Sequence, residues 1–223
     1  MSRFYRFFLL LWLLILPVSA APTPKYAAFV IDSGPNGKYT RQLLEGLYDR
    51  GIRATFLLKG YRTEEFPDIL ETLLKDGHEV GCRGFTGENM TVMSRRAIAA
   101  EVMDFEALLP KGYPLKLFCP PGGNSDGIRQ VAEARKLAIL SWSVEGNTDV
   151  RDGDLILLRD NTAAGVRQVL DLADRLLEEG YELITVSELA HLRHTDMKPG
   201  RTYDSFPPGN IVGRGHDPAD QVD

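Results

Sequence analysis

Short apolar runs and amphipathic stretches alternate about seven times between Lys25 and Leu192, and this alternation constrains the fold more than any other feature. The runs Tyr26–Ile31, Ile52–Leu58, Glu79–Gly81, Leu115–Phe118, Ala138–Val144, Leu155–Leu158 and Glu182–Val186 read as strands. Between them, Leu43, Leu44, Leu47 and Tyr48 share one helical face that stops at Gly51. Phe66, Ile69, Leu70, Leu73 and Leu74 share another that stops at Gly77. Ser94 is placed to cap a helix carrying Ile98, Val102, Phe105 and Leu109. Further helices are expected near residues 127–137, over 166–179 before Gly180, and behind Ser187 as a short closing helix. Crossovers of this length permit parallel pairing, so an α/β fold with a parallel sheet follows, either doubly wound or a barrel. The span is short for an eight-unit barrel of ~250 residues, which favours a smaller or irregular one.

The flanks behave differently. Arg3 and Arg6 precede an unbroken apolar run from Phe7 to Val18, and Val18-Ser19-Ala20 ends in small residues. Residues 1–20 therefore read as a secretory signal peptide cleaved after Ala20, because the run is short of the roughly 20 apolar residues a spanning helix needs. The expectation is an exported, cell-envelope protein with no stable membrane anchor after cleavage. From Arg193 onward Pro, Gly and Asp dominate, and residues 193–223 read as a poorly packed tail, docked at most through Tyr203 and Phe206. The net charge of −5 carries no basic cluster, which argues against nucleic acid as a partner. Cys82 and Cys119 are the two cysteines, and their spacing fits no zinc module.

Chemistry is expected where strands end at their carboxyl side. The first strand stops at Asp32, Ser33 and the turn Gly34-Pro35. In order along the chain follow Ala54-Thr55-Phe56, Gly77-His78-Glu79-Val80-Gly81, Pro120-Pro121-Gly122, Leu155–Asp160 and Gly180-Tyr181-Glu182. This series resembles the NodB-homology polysaccharide deacetylases, carbohydrate esterase family 4, across residues 25–192. The resemblance implies an irregular parallel (β/α)7-type barrel and metal-dependent removal of acetyl groups from chitin, peptidoglycan or xylan-type polymers. It assigns two adjacent acids to the first motif, a base and a metal ligand; here they are Asp32 and Ser33. It assigns two histidines four apart as the other ligands; here those places fall on Arg83 and Gly87. The arginine that would orient the base is Cys119, the Asp-Trp pair is unmatched near Gly146-Asn147-Thr148-Asp149, and the general-acid histidine is Arg159.

Such a metal needs three protein ligands and an open position. A serine hydroxyl, a glycine and an arginine do not supply them, and arginine cannot shuttle a proton near neutral pH. The resemblance therefore implies a catalytically degraded member that binds a glycan or a partner and carries no cofactor. The alternative is an active polysaccharide or chitooligosaccharide deacetylase with a rearranged, zinc-dependent site. Asp32 is then a residual base, or else a strand-end carboxylate paired with Arg83 or Arg159. Convergence of both arginines on Asp32 would leave one positive charge to receive an anionic, peptidoglycan-type glycan. Arg83, Phe85, Cys119, Pro120, Pro121 and Arg159 are expected around the cleft, with Phe85 able to stack on a sugar ring. Trp142 and Tyr181 read as packing residues, and His78 as structural. His191, His194 and His216 lie too far along the chain to rebuild a site. Cys82 and Cys119 follow strands that would be neighbours, and a disulfide between them is expected; a thiol-based function is a third, weaker reading.

Overall fold

The computed structural model describes residues 23–146 and 149–209. The expected signal peptide, His216, Asn147 and Thr148 lie outside them, as does the chain beyond Gly209. Strand β1 (Lys25–Gly34) sits centrally, paired in parallel with β2 (Thr55–Leu58), β7 (Leu155–Arg159) and, at its start, β8 (Tyr181–Leu183). The sheet continues from β2 through β3 (Glu79–Cys82), β4 (Leu117–Phe118) and β5 (Ala138–Leu140) to β9 (Thr202–Tyr203), and on the other side β6 (Val144–Glu145) flanks β7. Every ladder between named strands is parallel, as crossover helices require.

The helices are α1 (Lys38–Asp49), α2 (Gly60–Glu65), α3 (Pro67–Lys75), α4 (Arg95–Glu106), α5 (Asp126–Arg135), α6 (Ala163–Glu178) and α7 (Val186–Leu192). Strand alternation divides the interior into two layers. Ala27, Phe29 and Ile31 face one side with the apolar stripes of α1, α3, α4, α5 and α6. Ala28 and Val30 face the other, the hollow of the curled sheet, together with Leu57, Leu117, Leu155 and Leu157. Helix α7 and the segment around Phe206 fill that hollow: Val186, Leu189, Tyr203 and Phe206 are all buried in it.

Several boundaries differ from the sequence reading. The run Ala138–Val144 is not one strand: β5 stops at Leu140, and after Trp142 and Ser143 the chain pairs with β7 as β6. Ser187 does not cap α7. Thr185 does, its hydroxyl accepting from Glu188 N–H while Glu188 returns to the Thr185 N–H, a capping box. Ser94 caps α4 as expected, accepting from Ala97 N–H. The segment read as a poorly packed tail is structural up to residue 209. Thr202–Tyr203 pairs with β5, Phe206 is 1% exposed and stacks on Tyr203, and Phe206 N–H donates to Gly153 O. It docks through Tyr203 and Phe206, the two aromatic residues expected to hold it. No helix among the described residues is long and apolar enough to cross a membrane.

Candidate functional site

The alternation that buries Val30 in the hollow turns Asp32 the same way, two residues on, where β1 reaches its carboxyl end. Asp32 is 6% exposed. Cys82 faces the helical layer, so Arg83 after it turns into the hollow. The backbone N–H of Arg83 donates to Leu58 O, holding this position against β2. The guanidinium reaches Asp32 with two bonds, Nε to Oδ1 at 3.0 Å and Nη2 to Oδ2 at 3.3 Å, and its Nη1 donates to the Cys119 carbonyl at 2.9 Å. Burial works against the charge of Arg83, but Cys119 and the Asp32 carboxylate outweigh it, and its pKa rises above the ordinary arginine value. Asp32 is thus one half of a bidentate ion pair at the barrel mouth.

Arg159 does not join this pair. Its Cα lies level with Asp32 in the β1–β7 ladder, but its guanidinium binds Glu145 on β6. The expected convergence of two arginines on one acid is therefore corrected to two separate ion pairs, and the single uncompensated positive charge is not formed. Gly87 adopts φ +75°, and a side chain there would meet the methylenes of Lys59 at 2.8 Å. Phe85 packs over Gly60, where an added Cβ would lie 2.3 Å from its ring, and the loop is zipped to α2 by Gly60 N–H to Gly84 O and Tyr61 N–H to Phe85 O.

A cleft of about 300 Å³ opens beside the pair, lined by Arg83, Cys119, Pro120, Asn124, Trp142 and Thr202 among others. Phe85, Pro121 and Arg159 are not part of that lining. Pro121 instead accepts from Met90 N–H, clasping the loop of residues 82–93 to the Pro-Pro-Gly turn. Gly122 is required there: at φ +90° its missing Cβ would fall 2.0 Å from Asn89 Oδ1. Trp142 is half-buried at the rim of the hollow, and Tyr181 is buried with its hydroxyl donating to Val150 O.

Two acids that the sequence reading passed over organise the mouth. Glu101 on α4 accepts from Phe85 N–H, Thr86 N–H and the Thr86 hydroxyl, and so pins the Arg83 loop. Asp160 is fully buried after Arg159 and accepts from Asn36 Nδ2 at 2.8 Å and from the Thr40 hydroxyl, tying β7 to the turn after β1. Burial raises its pKa. An acid directly at a strand end was the available signal for Asp160. For Glu101, in the middle of a helix, there was none.

The disulfide expected between Cys82 and Cys119 is not present: both are free, buried thiols. Cys82 is level with Phe118, not with Cys119, so the two cysteines belong to opposite faces of the sheet, one in the helical layer and one in the hollow. Burial raises their pKa values to about 12 and about 11, leaving both protonated and poorly nucleophilic. His78 is 5% exposed, accepts from Ala54 N–H at its Nδ1, and meets Phe56 edge-on, the structural role expected of it.

A family model described as polysaccharide deacetylase matches residues 19–139. The chain belongs to the polysaccharide deacetylase family. The peptidoglycan-N-acetylmuramic acid deacetylase PdaC of Bacillus subtilis is 28% identical over 190 residues, a match covering 77% of this chain and 40% of that relative. The chain therefore spans less than half of that relative's length. A family 4 acetyl xylan esterase from Clostridium thermocellum, solved in complex with a cobalt ion, superposes with a TM-score of 0.75 at 26% identity, covering 82% of this chain and all of that one. A CE4 family pseudoenzyme from Bacillus anthracis shares the fold, with a TM-score of 0.67 at 21% identity over 76% of this chain and 66% of that one. The curled parallel sheet is thus the fold of the polysaccharide deacetylases. A divalent ion such as the esterase's cobalt does not fit the residues of this family member. Among the described residues no three His, Cys, Asp or Glu side chains converge, and the space beside Asp32 holds a cation already. A second cation there would meet the guanidinium's charge and compete for one carboxylate.

Proposed function

We propose that this chain is an exported, non-hydrolysing polysaccharide deacetylase-like protein that holds a cell-wall glycan at the barrel mouth. The observation that carries the reading is the Arg83–Asp32 pair. The position that the resemblance gives to a ligand histidine presents a guanidinium, and that guanidinium occupies the acid a base or ligand would need. A carboxylate held by two N–H bonds has lone pairs committed and no polarised carbonyl to serve, so the chemistry of acetyl removal lacks its electrophile. No step through a metal is derived for this site.

The cleft favours an uncharged sugar over an acidic one. Arg83 is offset by Asp32 and Arg159 by Glu145, while Trp142, Pro120, Asn124 and Thr202 offer an apolar face and amide or hydroxyl partners. The family match and the names of the relatives support a polymer of the cell wall as ligand, and the apolar leader of residues 7–18 supports export. The test is a paired assay on acetylated chitooligosaccharide and peptidoglycan fragments: binding by calorimetry and acetate release by enzymatic detection. Saturable binding without acetate release is expected. Acetate release that a chelator abolishes would restore the alternative, an active zinc-dependent deacetylase with a rearranged site.

A further inference from the structure

A basic recess lies at the opposite end of the sheet from the mouth. It has a volume of about 510 Å³ and is lined by Lys116, Lys136, Ser187, His191, His194 and Asp196, with Ala138, Ala190, Thr195 and Met197 between them. The topology explains the position. Lys116 stands immediately before β4, Lys136 ends α5 and leads into β5, and α7 with the turn after it closes the hollow from below.

The charges are not spent internally. Among the described residues, Lys116, Lys136, His191 and His194 make no side-chain hydrogen bond or ion pair. The single acid in the lining, Asp196, already binds Lys198. Ser187 adds a hydroxyl that is shielded from solvent and lacks a hydrogen-bond partner. A second feature marks the same recess. Lys136 (φ 60°) and His194 (φ 53°) are the two non-glycine residues in the left-handed region among the described residues, and both line it. Each ends a helix, where glycine would meet no steric penalty. The chain places a cation and an imidazole at positions whose backbone favours glycine.

We propose that this basal recess binds a phosphate group. The lining supplies point charges and imidazole donors around an open volume and contains no guanidinium fork, which suits a tetrahedral multivalent oxyanion better than a planar carboxylate. The ligand is either soluble phosphate, free or on a polymer, or the headgroup of an anionic lipid. This inference stands apart from the reading of the mouth and survives its failure.

The experiment titrates the purified protein with inorganic phosphate by calorimetry at constant ionic strength. Saturable binding is expected, weakened about tenfold by each of Lys116→Gln and Lys136→Gln, the usual effect of losing one charge-assisted contact. Lys136→Gly separates binding from folding, because it relieves the left-handed side chain. It should lose affinity while its thermal midpoint stays level or rises. Flotation with phosphatidylglycerol vesicles distinguishes the sources. Vesicle binding that inorganic phosphate displaces assigns the headgroup, and phosphate binding without vesicle binding assigns a soluble ligand. Absence of saturable phosphate binding, or affinity unchanged in Lys136→Gly and Lys116→Gln, overturns the proposal.

Discussion

Removing one partner of the Arg83–Asp32 pair should destabilise the fold far more than removing both. The side chains are 15% and 9% exposed, so either one left alone is a nearly buried charge without its counter-ion. Such a loss costs about 3–5 kcal/mol, and the residual exposure of Arg83 argues for the lower end, ~3 kcal/mol. For a domain of this size that corresponds to a fall of roughly 6–12 °C in thermal midpoint. Asp32→Leu strands the guanidinium, with the Cys119 carbonyl and sulfur left to receive it but no counter-ion. Arg83→Met removes the counter-ion of the Asp32 carboxylate. The double variant replaces an ion pair with apolar groups of similar volume, for which the change is often close to neutral. A double-mutant cycle by urea denaturation should therefore give a coupling energy of at least ~2 kcal/mol. Single variants that each cost under ~1 kcal/mol and add without coupling would refute the reasoning, since that is the behaviour of a solvated surface pair.

Two further outcomes follow from buried groups. Burial, the largest cause, lowers the pKa of His78 from 6.5 to about 4, so the unfolded chain binds a proton between those values that the folded chain does not. Its contribution to stability is full above about pH 6.5 and is lost as pH falls towards 4, by up to ~3 kcal/mol. His78→Gln should flatten that part of the stability–pH curve, and an unchanged slope would count against the assignment. Cys82 and Cys119 should both be silent to a thiol reagent in the native protein and both react after denaturation without reductant; a missing thiol in the denatured sample would mean the bond forms after all.

Much of the sheet was legible because alternation with a period of two and stripes with a period of 3.6 are written directly in Phe29, Ile31, Leu43, Leu47, Leu155 and Leu157. The pairing of Asp32 was legible only as a choice between Arg83 and Arg159, both at the ends of strands that flank β1 or its neighbour, and the structure pairs it with Arg83. Arg159 was misassigned because its partner Glu145 comes from β6, a two-residue strand created by the chain crossing from β5 to β7, which no local pattern announces. The cysteine pair failed on parity: neighbouring strands at one end were correct, but Cys82 is level with Phe118, and one residue of offset reverses the face. In the closing segment the docking through Tyr203 and Phe206 was legible, whereas the pairing of Thr202–Tyr203 with β5 was not, because a two-residue strand among Pro, Gly and Asp carries no periodic pattern.

The most direct test of the central claim is the zinc content of the purified protein after equilibration with excess zinc and desalting, read by elemental analysis. With the Arg83 guanidinium held on Asp32, the prediction is far less than one ion per chain. One tightly held zinc per chain in the unaltered protein would contradict the claim.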